Sequence, residues 1–250
     1  MNREDIKNQN KTKKNKVEVN EPAKAPSVST VTIRKDQDKL EERGIITRQH
    51  GFAVINNQND INFRLTQNYN LKRRIAKKAA EMVQDGEAVL IESGSTCALL
   101  AEELASSKKN VTIITNSAFI ASYIRKSEQA KIILLGGEYQ KDSQVNVGPL
   151  VKKTVSGFSV DKLFAGIDGF DYELGFMAAD LMRSEATRYL YESANKTIIL
   201  TDSSKFERKS LVTEFQVDEV STVFTDDQID KKVHEFLTNH NVKVITVNKS

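Results

Sequence analysis

The chain has 250 residues, 39% hydrophobic and 28% charged, a composition suited to one large α/β domain or to a small domain beside a medium one. Its apolar stretches all fall short of the roughly 18 residues that a membrane helix needs, its polar N-terminus lacks the apolar core of a secretory signal, and its single cysteine, Cys97, rules out an internal disulfide or a Cys-cluster zinc site. The net charge of +3 is uneven: residues 1–50 hold 12 Lys/Arg against 8 Asp/Glu, and the remaining 200 hold 25 against 26, a basic segment on a neutral body.

A cytoplasmic protein with no membrane partner is therefore expected. His50, His234 and His240 are too scattered for a metal site, and no cofactor is expected. Residues 1–16 are almost without apolar side chains and read as poorly ordered. Pro22 and Pro26 argue against a long helix in the next stretch. From Ser29 the pattern changes to a helix, capped by Ser29 and closed by Gly44. Ile45–Arg48 reads as a short strand and Gln49-His50-Gly51 as a turn into Phe52–Ile55. A helix followed by a small basic hairpin is the second half of a winged helix-turn-helix. Residues 56–70 are rich in Asn and Gln and read as a linker.

The larger domain starts at Leu71 with a helix whose apolar face is Leu71, Ile75, Ala76, Ala79, Met82 and Val83. Seven β-rich runs follow: Ala88–Ile91, Val111–Thr115, Lys131–Leu135, Lys162–Ile167, Thr197–Thr201, Val220–Thr225 and Val242–Val247. Helical patterns separate most of them, at Thr96–Leu104, Ala118–Arg125, Leu150–Val155, Leu181–Ala194 and Gln228–Asn239. This alternation predicts an α/β fold, a mostly parallel sheet with helices on both faces. Ligands of such sheets bind beyond the carboxyl ends of the strands.

Five strand ends carry polar or flexible residues. They are Ser93-Gly94-Ser95-Thr96, Thr115-Asn116-Ser117, Gly136-Gly137-Glu138, Asp168-Gly169-Phe170-Asp171 and Asp202-Ser203-Ser204-Lys205-Phe206. The first joins a strand to a helix start, where free N–H groups and hydroxyls can seat a phosphate. Taken alone it is a capped turn. Together the five suit a small anionic polyol, with phosphate on the first loop and hydroxyls held by Asp, Asn and Lys.

Two sets of motifs carry a family resemblance. Val28–Asp36, Leu40–Arg48 and His50-Gly51 resemble the DNA-binding signature of the DeoR family of bacterial transcriptional regulators. The resemblance implies that Ser29, Thr30, Thr32, Arg34 and Lys35 face DNA from the recognition helix, with Arg48 and His50 on or near the wing. The chain departs from the family at residues 1–28, which lack the apolar positions of the first two helices. Gln37 also stands where leucine is usual, and Phe52 where the wing has a second glycine.

From Leu71 onward, Glu92–Thr96, Ile114–Ser117, Leu135–Gly137, Val147–Leu150, Gly166–Gly169, Ser184–Ala186 and Thr201–Phe206 resemble the family's sensor domain, related in fold to ribose-5-phosphate isomerase. The resemblance implies that Ser93, Gly94, Ser95 and Thr96 hold an effector phosphate. It also implies that Asn116, Gly136, Gly137, Asp168, Glu185 and Lys205 line the sugar end. The expected organisation is a winged helix-turn-helix domain over 1–55, a linker over 56–70 and a sensor domain over 71–250. The expected partners are a double-stranded DNA operator, a phosphorylated sugar and further copies of the chain, as a dimer or tetramer.

Three readings follow. The first is a repressor of sugar-metabolism genes, not an enzyme, released from DNA by its effector. The second is an isomerase-like enzyme using Asp168, Asp171 and Glu185, against which Phe176–Asp180 lacks that family's lysine-and-glycine run. The third is a sensor that has lost DNA binding.

Overall fold

The computed structural model describes the backbone of residues 16–18, 46–49 and 52–55, and residues 60–249 in full. The chain divides into two compact units, Met1–Arg64 and Leu65–Ser250. In the first, strands β1 (Lys16–Glu18), β2 (Ile46–Gln49) and β3 (Phe52–Ile55) form an antiparallel sheet in the order β1-β3-β2. The hairpin β2–β3 pairs Gln49 with Phe52 and Arg48 with Ala53, as a wing requires. The third strand, β1, pairs Lys16 with Val54, where composition gave no strand. Three residues suffice because the free edge of β3 supplies the hydrogen-bond partners. Of the expected DNA-facing residues, Arg48 is placed on β2; Ser29, Thr30, Thr32, Arg34, Lys35 and His50 lie outside the described residues. Helix α1 (Ile61–Thr66) occupies part of the stretch read as linker, begun by Asp60, whose carboxylate accepts from the Asn62 amide at 2.7 Å.

The second unit is built on seven parallel strands: β4 (Ala88–Ile91), β5 (Val111–Thr115), β6 (Ala130–Leu134), β9 (Val160–Ala165), β12 (Ala194–Leu200), β14 (Thr222–Asp226) and β15 (Lys243–Val247). Their order is β15-β14-β12-β9-β4-β5-β6, and every neighbouring pair is parallel. These are the seven runs expected from the sequence. The inner strands are near-continuous apolar runs because both faces are covered. Alternate residues separate the faces. Leu90, Ile114, Leu163, Ala165, Ile199 and Val223 pack with Val151 and Val155 of α5 (Pro149–Val155), Ala186 and Leu190 of α6 (Leu181–Tyr191), and Val233 and Leu237 of α7 (Lys231–Asn239). The opposite face is covered by α2 (Tyr69–Ala80), α3 (Ser95–Ser107) and α4 (Ala118–Tyr123).

Two small sheets complete this unit, and neither is evident in the sequence. The hairpin of β7 (Glu138–Gln140) and β8 (Val145–Val147) follows β6. Strands β10 (Gly169–Asp171), β11 (Gly175–Ala178) and β13 (Val212–Phe215) form an antiparallel sheet in the order β10-β11-β13. Phe170 anchors that sheet, its ring 5.3–6.1 Å from those of Phe176, Phe206 and Phe236. Gly175 has φ of +79°, and a side chain there would also press into the Phe215 carbonyl, so only glycine fits.

The strand order reverses at β4. From β4 the chain runs outward through β5 and β6, then returns to β9 on the other side of β4 and runs out through β12, β14 and β15. The crevice beyond the carboxyl ends of β4 and β9 is therefore the topological switch point, the place where open α/β sheets bind ligands.

Candidate functional site: the crevice at the switch point

The loop after β4 is organised by Glu92. Its carboxylate accepts from the Ser93 hydroxyl at 2.6 Å, from the Gly94 amide at 2.7 Å and from the Gly166 amide at 3.2 Å. Its own amide donates to the Phe164 carbonyl at 2.9 Å. One buried acid thus clasps the loops that follow β4 and β9. The clasp works because both loops turn on glycine. A Cβ on Gly166 would lie 3.6 Å from the Gly94 Cα, and one on Gly94 would lie 3.1 Å from Glu92 Oε2.

This arrangement divides the expected phosphate loop. The Ser93 hydroxyl and the Gly94 amide are spent on Glu92. Gly94 is the N-cap of α3 and supplies no side chain, so the first-turn amides of Ser95 and Thr96 have neither an intrahelical acceptor nor a side-chain cap. Their hydroxyls flank the same helix start. An anion seated here meets Ser95 and Thr96 together with the positive end of a 13-residue helix.

The other strand ends differ in what they offer. Asn116 is 1% exposed, and its amide nitrogen donates to the Asn146 carbonyl at 3.0 Å, while its Oδ1 is buried without a hydrogen-bond partner. A buried acceptor left over in this way is suited to a ligand hydroxyl or a water. Ser117 simply caps α4, accepting from the Ile120 amide at 3.2 Å. Gly137 lies close under β8, where a Cβ would sit 2.7 Å from the Val147 carbonyl; beside Gly136 the space is open.

Asp168 and Lys205 are brought together. Asp168 Oδ2 accepts from the Ala179 amide at 3.0 Å, and its Oδ1 lies 3.8 Å from the Lys205 ammonium. Both side chains are about a fifth exposed. Lys205 is positioned by a single 3₁₀ turn after β12, held where the Ser203 amide and hydroxyl donate to Asp226 at 2.7 and 2.8 Å.

Glu185 is not gathered into this cluster. It bonds the Tyr189 hydroxyl one turn along α6, and that bond is the main cause of the raised pKa of the phenol. Tyr189 in turn lies under the Lys152 ammonium, 5.0 Å from its ring centroid. Arg183 and Thr187 share the face of α6 that meets the buried Glu214, because residues four apart share a helix face and residues two apart do not. Asp171 is likewise engaged elsewhere. It accepts from the Glu173 and Leu174 amides and pairs with Lys209 at 2.5 Å, and the Lys209 bond is the main cause holding its carboxyl below the usual range.

Glu214 on β13 is a buried acid that the sequence conceals. It is 5% exposed. Burial pushes its carboxyl well above the usual range, and the negative charges of Glu92 and Asp168 push it further, against smaller opposing effects from Thr187 and Arg183. The signal in the sequence is faint: one acid on a four-residue strand whose partners are distant.

A separate cavity of about 420 Å³ lies between α3 and α4, lined by Glu102, Tyr123, Lys126, Glu128 and their neighbours. Burial, followed by Glu102 and Tyr69, pushes the Tyr123 phenol up to about 12. Among the described residues, no group of three or more His, Cys, Asp or Glu is arranged to hold a metal ion, and no helix is long and apolar enough to cross a membrane.

Comparison with known proteins agrees with this architecture. Residues 67–227 match the DeoR C-terminal sensor domain, and residues 12–59 the DeoR-like helix-turn-helix domain. The chain is 31% identical over 237 residues to a protein of Escherichia coli O157:H7 provisionally named a transcriptional repressor of the aga operon, covering 92% of this chain and 88% of the relative. It is 30% identical over 222 residues to the glycerol-3-phosphate regulon repressor of Escherichia coli K12, covering 87% of each. Among solved structures, ribose 5-phosphate isomerase A of Neisseria gonorrhoeae superposes with a TM-score of 0.42 at 21% identity, covering 57% of this chain and 55% of that one. The chain belongs to the DeoR family of DNA-binding transcriptional regulators, with a helix-turn-helix domain followed by a C-terminal sensor domain.

Proposed function

We propose that the protein represses genes of sugar metabolism from a double-stranded DNA operator, in the cytoplasm and as a homo-oligomer, and that a phosphorylated sugar bound in the switch-point crevice releases it. The observation that carries this reading is the uncapped start of α3 after β4, with the Asp168–Lys205 pair in the segments that follow β9 and β12 of the same sheet, at the point where the strand order reverses. The phosphate sits on Ser95 and Thr96, with Ser93 and Gly94 shaping the loop through Glu92. The sugar hydroxyls meet Asn116 Oδ1, Asp168 and Lys205, with Gly136 and Gly137 bordering them. Ser29, Thr30, Thr32, Arg34, Lys35, Arg48 and His50 supply the DNA contacts. Release is linkage: the effector binds one arrangement of the oligomer better and draws the population away from the DNA-competent one.

The site is read as binding without turnover. Asp171 and Glu185, the acids an isomerase reading would recruit beside Asp168, are engaged by Lys209 and Tyr189. The relatives named for the aga operon and the glycerol-3-phosphate regulon support an effector of the sugar-phosphate class.

A thermal-shift screen of pentose, hexose and triose phosphates tests the reading. A true effector at a hundred times its Kd stabilises the protein by about 2.7 kcal/mol. Gly94→Val then separates a phosphate seat from a capped turn, because the added methyls meet Glu92 Oε2 and Cys97 Sγ, which would lie 3.1 and 3.3 Å from a Cβ alone. The variant is expected to lose the effector response and keep DNA binding. A normal response in Gly94→Val refutes the assignment.

A further inference from the structure

Asp226 ends β14 and is fully buried. Three donors converge on its carboxylate. The Ser203 amide reaches Oδ2 at 2.7 Å, and the Ser203 hydroxyl and the Gln228 amide reach Oδ1 at 2.8 and 3.2 Å. The Lys249 ammonium lies 4.0 Å from the same Oδ1. A carboxylate accepts and does not donate, so it suits a place where every neighbour brings a hydrogen. The Gln228 bond is local to the strand end, whereas the two from Ser203 come from the loop after β12, 23 residues away in the chain.

Those two bonds decide where Lys205 stands. Lysine is a point charge on a flexible stem, so its placement depends on the backbone that carries it. The 3₁₀ turn Ser203–Lys205 is fixed at both ends. At its start Asp226 holds both the main chain and the side chain of Ser203. At its end the Phe206 amide donates to the Ser203 carbonyl at 3.1 Å, and the Phe206 ring packs 5.5 Å from that of Phe170. Between them the Lys205 amide donates to the Asp202 carbonyl at 3.2 Å, and the Lys205 ammonium is set 3.8 Å from Asp168 Oδ1.

We propose that Asp226 is a positioning residue of the effector site: through Ser203 it holds the Lys205 ammonium where a sugar hydroxyl is recognised, and so sets the preference for a sugar phosphate over phosphate alone. This rests on the effector reading above. Asp226 touches no ligand itself, being fully buried. Without it the Ser203 amide is a buried donor stripped of its acceptor, and the turn must shift to find another. The phosphate seat at Ser95 and Thr96 is carried by α3, which shares none of these bonds. Loss of Asp226 therefore weakens the sugar end and spares the phosphate.

The test is a double-mutant cycle on the full chain, read by calorimetric titration with two probes. One is inorganic phosphate. The other is the member of the pentose, hexose and triose phosphate panel that binds wild type most tightly. Asp226→Ala and Lys205→Ala are each expected to weaken the sugar phosphate about tenfold, the loss of one hydrogen bond to a charged group. The double variant is expected to weaken it about tenfold as well, and not about a hundredfold, because both changes remove the same contact. Inorganic phosphate is expected to keep its wild-type Kd in all three. Additive losses, an unchanged sugar-phosphate Kd in Asp226→Ala, or an equal weakening of both probes in that variant overturns the proposal and leaves Asp226 as a structural acid. If Asp226→Ala fails to fold, Ser203→Ala takes its place in the cycle. It removes only the hydroxyl bond and is expected to weaken the sugar phosphate about threefold, with no further loss in the Lys205→Ala background. If Lys205→Ala binds the sugar phosphate as wild type does, or wild type binds no member of the panel, the effector reading fails, and the proposal falls with it.

Discussion

Replacing Glu92 by alanine tests the clasp between the two loops. Its carboxylate serves two backbone amides and one hydroxyl, and the side chain is 8% exposed. The Ser93 hydroxyl can rotate to another acceptor, but the Gly94 and Gly166 amides are fixed by the backbone. A buried donor stripped of its acceptor costs about 1–3 kcal/mol, so the two amides together cost about 2–6 kcal/mol. Glu92→Gln is the informative companion. Its amide oxygen can take both backbone N–H groups while its NH₂ donates to the Ser93 oxygen. It then loses only the extra strength of charged hydrogen bonds, about 1–2 kcal/mol. Urea denaturation measures both variants, read as a fall in midpoint at unchanged slope. The clasp is refuted if Glu92→Ala costs less than about 1 kcal/mol, or if the glutamine variant is as damaged as the alanine one.

Two further predictions rest on other parts of the chain. Asp180 caps α6 by accepting from the Arg183 amide at 2.9 Å and also receives Gln140 Nε2 at 3.3 Å, so Asp180→Ala is expected to cost about 1 kcal/mol in the same denaturation assay. In the head, Arg34→Ala with Lys35→Ala is expected to weaken operator binding across all sequences tested. It should also lower the slope of log affinity against log salt by about 1 for each lost phosphate contact, measured by fluorescence anisotropy at several salt concentrations. An unchanged slope would favour a sensor that no longer binds DNA.

The parts of the fold that could be read from the sequence are those whose signal is local. Each strand of the main sheet is a short apolar run closed by a turn, so β4 and β5 fall where their residues predict. The small sheets escape because their strands have three or four residues and take partners from far along the chain: Ala178 of β11 pairs with Val212 of β13. The site divides in the same way. Asp168 and Lys205 each end a strand of one parallel sheet, so topology alone brings them to one edge. Glu185 depends on the rotation of α6, which packing decides, and it is turned to Tyr189 one helical turn on. Glu92 was visible in the motif but not in its role, because its partner Gly166 lies 74 residues away. Glu214 carries no motif, and its meaning comes wholly from what surrounds it.

The reversal of strand order at β4 also bears on how the chain folds. β4, β5 and β6 can assemble from one continuous stretch, with only a helix between each pair. β4 then waits with one edge open until β9 arrives, well after β6 has been made. Closing a loop of that length costs entropy before any contact repays it, and such non-local pairings slow folding. During that interval the apolar edge of β4 is exposed to other chains, a known hazard of open strand edges. Across this seam the Gly166 amide meets the Glu92 carboxylate. The crevice assigned to the ligand is thus also where the second half of the sheet is joined to the first.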